Sequence, residues 1–347
     1  MRQHITFRNK SDSISVHMER RSLIVICVLF FLSLSAVIAG TSLGNTVIPP
    51  LEVIQSILKI GSGEHDFVIH TLRLPRVLVA LLVGAALGVS GAILQGIIRN
   101  PLASPDIIGI TGGASVAAVA FVTFLAGTVS ISFMPLAAIV GAMIVSITIY
   151  LLAWKNGVTP IRLVLVGIGI SAIMGAGTTF MLVMSPYFTA GKAYIWLTGS
   201  VYGSTWEDVY LILPVTAVII PCVVILARNL NLQEFGDEVA TGLGAAVQRQ
   251  RLTLLAFSVL LAGVAVSIGG AIGFVGLIAP HIARKLVGRP FGSLTIVSAL
   301  VGSLLVFVAD WLGRTAFYPL DIPAGIFTAG VGAPFFLYLL FKNRNQL

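Results

Sequence analysis

Few side chains in this sequence have the type and spacing needed to make or break bonds. It contains no His-Glu-x-x-His, no Gly-x-Ser-x-Gly and no Gly-x-x-x-x-Gly-Lys-[Ser/Thr] phosphate loop. Gly191-Lys192 is followed by Ala193 and lacks the upstream glycine such a loop requires. The chain therefore reads as no enzyme, and any nucleotide chemistry it draws on belongs to another polypeptide. Cys27 and Cys222 sit in apolar stretches without metal spacing and read as small packing residues. No cluster of His, Asp, Glu or Cys suits a bare metal ion, and no cofactor is implied. Asp106, Asp310 and Asp321 fall near the ends of apolar segments, and His281 adjoins Pro280. The midplane ionisable groups of an ion-coupled carrier are thus scarce.

Interaction chemistry is more visible. Thr71-Leu72-Arg73-Leu74-Pro75-Arg76 precedes a long apolar segment, with Pro75 pre-set for a first helical turn. Ala309-Asp310-Trp311-Leu312-Gly313-Arg314 closes a later one. An exposed guanidinium at Arg73 or Arg314 either pairs bidentately with a carboxylate of a docking protein or snorkels to lipid headgroups. The connection 229–252 holds Gly236-Asp237-Glu238-Val239-Ala240-Thr241-Gly242-Leu243-Gly244, then Arg249 and Arg251. It reads as a short helix with acidic residues at its positive end, then a glycine turn. Such a loop is either a firm knob for a partner or a solvated connector.

The elements that position these residues follow from composition. The chain has 347 residues, 57% hydrophobic and 10% charged, with a mean hydropathy of +1.02. That is too little charge for a water-covered surface, where about a quarter is usual, so lipid is the main solvent. The formal charge of +8 lies in short runs between apolar segments, which argues against a nucleic-acid partner. With about 20 apolar residues per crossing, spans are expected near 22–42, 77–98, 105–126, 134–154, 161–184, 208–227, 253–276, 281–289, 293–313 and 322–341. The eighth is too short to cross alone. The first reads as a retained span rather than a cleaved signal. The fold class is thus all-α and polytopic, with about ten transmembrane helices. A tail at 1–22 leads into one transmembrane domain over 23–341, and 342–347 form a second tail. With the N-terminus inside, the outer positions hold only Lys59, Arg73, Arg76, Lys192 and Arg314 of the 21 basic residues. The positive-inside rule selects that orientation, with both termini cytoplasmic.

Sliding the chain by 179 residues aligns Gly84, Ala86, Gly91, Ala92, Ile93, Pro101, Gly109 and Gly113 with Gly263, Ala265, Gly270, Ala271, Ile272, Pro280, Gly288 and Gly292. The copies lie five expected spans apart and so run in opposite directions, an inverted repeat of the kind transporters use. Small-xxx-small pairs such as Gly84/Gly88 and Gly269/Gly273 allow close helix approach.

Between about residues 70 and 340 the chain resembles the FecCD family of binding-protein-dependent permeases. The resemblance rests on Arg73-Leu74-Pro75-Arg76, the Gly84–Gly96 run, Asn100-Pro101-Leu102-Ala103-Ser104-Pro105-Asp106, Trp196-Leu197-Thr198-Gly199-Ser200 and Gly236–Gly244. It continues through Gly273–Arg284, Ala309-Asp310, Pro323-Ala324-Gly325, Thr328-Ala329 and Gly332-Ala333-Pro334. It implies ten spans and a second permease subunit, identical or paralogous, around a central pathway. It also implies an ABC ATPase dimer and an extracytoplasmic substrate-binding protein, all in a bacterial inner membrane. By the same resemblance, Arg73 and Arg314 meet acidic residues of the binding protein. Gly236, Asp237, Glu238, Ala240, Leu243 and Gly244 fall in the segment that couples to the ATPase. Asp321-Ile322-Pro323 stands where the family often has Glu-Leu-Pro or Glu-Ile-Pro. The expected cargo is an iron–siderophore chelate, with haem or cobalamin as the alternative and a cation-coupled secondary transporter as the remoter rival.

Overall fold

The computed structural model describes residues 4–8, 15–44, 46–60, 63–106, 108–125, 127–234 and 236–343. Arg2, Lys10 and Arg344, all expected on the inner side, lie outside the described residues, as does Phe235 of the 229–252 connection. Ahead of the first apolar segment, β1 (His4–Arg8) and β2 (Ser15–Glu19) pair antiparallel, with His4 opposite Glu19. The rest is helical: α1 (Arg20–Ser42), α2 (Pro50–Ile57), α3 (Leu74–Ile98), α4 (Ile110–Ala120), α5 (Met134–Ala153), α6 (Pro160–Met184) and α7 (Tyr187–Thr198). These are followed by α8 (Trp206–Gln233), α9 (Asp237–Gly242), α10 (Val247–Gly269), α11 (Val275–Val287), α12 (Phe291–Thr315) and α13 (Ala324–Asn343).

Local chemistry sets the starts of these helices. Prolines occupy the first turn of α2, α3, α5 and α6, where a missing N–H costs nothing. At α8 a capping box does the same job, the Thr205 N–H donating to Asp208 Oδ2 at 2.8 Å. A π-helical turn, Val68–Arg73, leads directly into α3.

Among the described residues, eight helices are long and apolar enough to cross a membrane, carried by α1, α3, α5, α6, α8, α10, α12 and α13. The chain is thus an all-helical, multi-pass membrane protein. The expected third segment is a shorter apolar helix, Ile110–Leu125. The expected seventh and eighth segments differ most from the sequence reading. α10 stops at Gly269 rather than running to 276, and α11 begins at Val275 rather than 281. Gly270 takes φ +66°, a left-handed conformation that ends α10, and Phe274 takes φ +67° ahead of α11. The broken backbone is covered by protein, since Ser200 N–H donates to Gly269 O at 2.8 Å and Ile272 N–H to Gly270 O at 2.9 Å. Irregular backbone at membrane depth is tolerated only when shielded in this way.

α3 is the central element and is buried along nearly its whole length. Its small residues let other helices approach backbone to backbone. A Cβ at Gly84 would collide with the carbonyl of Gly302 on α12, and one at Gly91 with that of Gly276 on α11. The Ser90 and Ser258 hydroxyls join α3 to α10 at 2.7 Å. Outward faces of α1, α5, α6 and α8 carry exposed Phe, Leu, Ile and Val, as a lipid-facing perimeter requires.

Candidate functional site

Two polar clusters stand at opposite ends of α3, whose 25 residues span about 37 Å. The first lies where α1 ends, α3 begins and α12 ends. The Arg73 guanidinium donates through Nη1 to the carbonyls of Thr41 (2.9 Å) and Ser42 (3.1 Å). Through Nη2 it donates to Thr46 O (2.7 Å) and Thr46 Oγ1 (3.0 Å). Gly44 gives it room, because a side chain there would meet the guanidinium itself. Arg314, on the last turn of α12, donates from Nη2 to Gly40 O at 2.6 Å. Its Nε lies 3.6 Å from Asp310 Oδ2 and makes no hydrogen bond.

These positions revise one expectation. Arg73 is 8% exposed and the Arg314 side chain 10% exposed, so neither presents a free guanidinium. Each is drawn in because the end of α1 supplies carbonyls that an isolated helix terminus leaves unpaired. Those partners are neutral, however. Arg73 has no carboxylate within ion-pair distance among the described residues, so its positive charge is solvated by dipoles but not cancelled.

The residue that organises this end is Arg76, which the sequence places at the outer mouth beside Arg73 without a partner of its own. Arg76 donates from Nε to Asp310 Oδ1 and Oδ2 (3.0 and 3.2 Å), and from Nη2 to Asp310 Oδ1 (2.7 Å). It also grips Asp321, from Nη1 to Oδ2 and from Nη2 to Oδ1, both at 2.7 Å. Its guanidinium lies over the Tyr202 ring at 5.4 Å. One side chain thereby fastens the start of α3 to α12 and to the α12–α13 connection. Three arginines face two aspartates, and the group keeps an excess positive charge. The sequence marks Asp310 and Asp321 as span-end carboxylates within family-like motifs, but their separation from Arg76 by 234 and 245 residues hides the pairing.

The second cluster surrounds α9 at the far end of α3. Gly236 takes φ +109°, open only to glycine without strain, and turns the chain from α8 into α9. Asp237 at its start receives Arg251 Nη2 on Oδ1 (3.1 Å) and Oδ2 (3.0 Å), and Arg99 Nη2 also contacts Oδ1. Arg251 is fully buried and also donates to Val158 O in the α5–α6 connection. Burial alone would raise the Asp237 pKa, but the hydrogen bonds and charges of Arg251 and Arg99 hold it below the usual carboxylate value. Ala240 is buried beneath α9, while Glu238, Val239, Leu243 and Gly244 are exposed. α9 is therefore a short, three-point-anchored helix with two apolar side chains facing outward, Val239 at 50% and Leu243 at 63% exposure.

Of the other residues singled out in the sequence, His281 lies inside α11 with both ring nitrogens buried and unbonded, its edge against Phe335. It packs; it caps nothing. Asp106 accepts from Thr111 Oγ1 at 2.7 Å. Among the described residues no three His, Cys, Asp or Glu side chains converge as a metal-ligand set. The arrangement offers ion pairs at both ends of α3 and an apolar knob at the α9 end.

The model of the FecCD transport family matches residues 25–342. The probable siderophore transport system permease protein YfhA of Bacillus subtilis is 47% identical over 333 residues, covering 94% of this chain and 97% of that protein. The achromobactin transport system permease protein CbrC of Dickeya dadantii is 49% identical over 320 residues, covering 92% of each. A solved inward-facing metal-chelate type ABC transporter superposes with a TM-score of 0.81 at 29% identity, covering 92% of this chain and 99% of that one.

Proposed function

This chain belongs to the FecCD transport family, and we propose that it is the membrane-spanning permease subunit of a binding-protein-dependent ABC importer for an iron–siderophore chelate. The reading is supported by relatives named as siderophore and achromobactin permeases over nearly their full lengths. ATP hydrolysis belongs to a separate ABC ATPase dimer, and an extracytoplasmic binding protein delivers the cargo to this chain and a second permease subunit in a bacterial inner membrane. α4 with its extension to Leu125, and α11, complete ten spans with the eight long helices. Both termini then face the cytosol, the tails being 1–22 and 342–347 around the domain 23–341. α3 carries Gly91-Ala92-Ile93, its counterpart Gly270-Ala271-Ile272 directly follows α10, and α3 and α10 pack through Ser90 and Ser258, in keeping with an inverted repeat.

The observation that carries the mechanism is the placement of both polar clusters on one continuous helix: Arg73 and Arg76 at the start of α3, Arg99 at its end. In the proposed cycle, carboxylates of the loaded binding protein settle against Arg73 and Arg314 and supply the negative charge that the neutral partners of Arg73 lack. The chelate passes into a cavity between two permease subunits. The ATPases grip α9 through Val239 and Leu243. Asp237, held by Arg99 and Arg251, transmits α9 displacement to α3 and α10 and shifts the pair between outward-open and inward-open states.

The test is charge reversal. In proteoliposomes containing the full importer, Arg73→Glu/Arg314→Glu is expected to abolish uptake while the ATPases still co-purify with the permease. Normal uptake by this variant overturns the docking assignment. Translocation by the purified chain alone, driven by an ion gradient, overturns the importer reading and favours the secondary-transporter rival.

A further inference from the structure

At the α9 end of the molecule a cavity of about 270 Å³ opens beside the end of α3. Gln95, Arg99, Asn100, Glu234, Arg284 and Arg289 supply its polar lining. Three guanidinium groups face one carboxylate. Arg99 is committed to Asp237. The side chain of Arg284, half-buried on the last turn of α11, makes no hydrogen bond or ion pair among the described residues; it only feels Glu234 and the like charge of Arg289. Arg289 likewise has no bonded partner among the described residues. Two arginines lining one cleft repel, and a half-buried one has given up hydration for no hydrogen bond and only the distant charge of Glu234. An anion between them removes both costs.

Gln95 narrows the class of anion. It is 2% exposed, its Nε2 donates to Leu277 O at 3.3 Å, and its Oε1 is buried without a partner. That oxygen lacks a donor. Asn100, whose Oδ1 already accepts from Leu102 N–H, has its NH2 left as a further donor. The lining thus asks for a doubly acceptor-rich anionic group that also carries a hydroxyl.

We propose that this cleft binds a phosphate group bearing or flanked by a hydroxyl, with Arg284 and Arg289 as its ligands and Gln95 Oε1 as acceptor of the hydroxyl proton. Two sources share that chemistry, a phosphatidylglycerol headgroup and hydrogen phosphate. The 25 residues of α3 span about 37 Å against a hydrocarbon thickness of about 30 Å. Arg99 and its neighbours therefore stand at headgroup level, where basic pockets between spans take anionic lipid. The inference rests on this end being cytosolic, as in the function proposed above.

Binding to the full chain in lipid-free detergent is measured by native mass spectrometry and by thermal stabilisation, with dioleoylphosphatidylglycerol, dioleoylphosphatidylcholine and inorganic phosphate as separate probes. Phosphatidylglycerol is expected to bind and stabilise while phosphatidylcholine does not. Stabilisation by millimolar phosphate as well makes free phosphate a second source; its absence makes the lipid the source. Arg284→Gln/Arg289→Gln is expected to weaken binding at least about tenfold per lost charged hydrogen bond. Arg289→Gln alone, altering only an exposed turn residue, gives the same direction should the double variant fold poorly. Arg249→Gln, an exposed arginine away from the cleft, leaves binding unchanged. Equal binding of phosphatidylglycerol and phosphatidylcholine, or undiminished binding by both cleft variants, overturns the proposal. No ATPase or binding protein is present, so this outcome is independent of the docking and coupling tests.

Discussion

Replacing Arg76 by methionine should be more damaging to the fold than replacing either arginine beside it. Arg76 is 9% exposed and makes five hydrogen bonds to Asp310 and Asp321. Its removal leaves Asp310, 2% exposed, with only the non-bonded Arg314 Nε at 3.6 Å. Taking away one partner of a buried ion pair costs about 3–5 kcal/mol, because the survivor stays desolvated and uncompensated. With an unfolding entropy of about 2 cal/mol/K per residue, 347 residues convert that into a Tm loss of about 4–7 °C. Arg76→Met/Asp310→Leu should recover part of this, since the Asp310 charge is no longer stranded, Arg314 keeps its bond to Gly40 O, and the Asp321 side chain, 28% exposed, can hydrate. The assay is thermal unfolding of the detergent-purified chain for wild type, both single variants and the double. A loss in Arg76→Met no larger than the about 1 kcal/mol of a surface pair, or a double variant as unstable as the two singles summed, refutes the buried-pair account.

Three further outcomes follow from the packing and from α9. Gly91→Ala should destabilise by about 1–3 kcal/mol or more, because its Cβ meets the Gly276 carbonyl; Gly175→Ala, with open space around it, should be neutral or gain up to about 1 kcal/mol, and equal effects on Tm would contradict the close-approach reading. Leu243→Asp should leave the Tm unchanged, since the side chain is exposed, while uncoupling ATPase turnover from uptake in proteoliposomes. Asp237 has a folded pKa below its ordinary 3.8, so its contribution is complete above that value and is lost as pH falls through the lower, folded one. The protection of α9 amides, taken as their exchange rate relative to that of an unstructured chain at the same pH, should therefore hold from neutral pH down to about 4 and fall only below it, whereas Asp237→Asn should be poorly protected already at neutral pH.

The sequence alone determined the solvent and the class of machine. A chain 10% charged has to be solvated mainly by lipid, and its motifs, spread from Arg73 to Pro334, carry the family resemblance whatever their spatial arrangement. Helix positions were legible wherever an apolar run is bounded by proline, as at α5 and α6. They were misjudged where glycine breaks a run that hydropathy reads as continuous, as at Gly269-Gly270, because hydropathy does not register a left-handed φ. The fates of the charged side chains were decided only in three dimensions. Nothing in the local sequence says that Arg73 and Arg314 turn inward onto α1 carbonyls. Nor does it say that Arg76 holds two aspartates more than 230 residues away, or that Asp237 clasps Arg99 at the end of α3. Helical periodicity reports which residues are apolar along one element. Which carboxylate satisfies which buried guanidinium depends on the helices being brought side by side, and that is set by where Gly84 and Gly91 allow two backbones to touch.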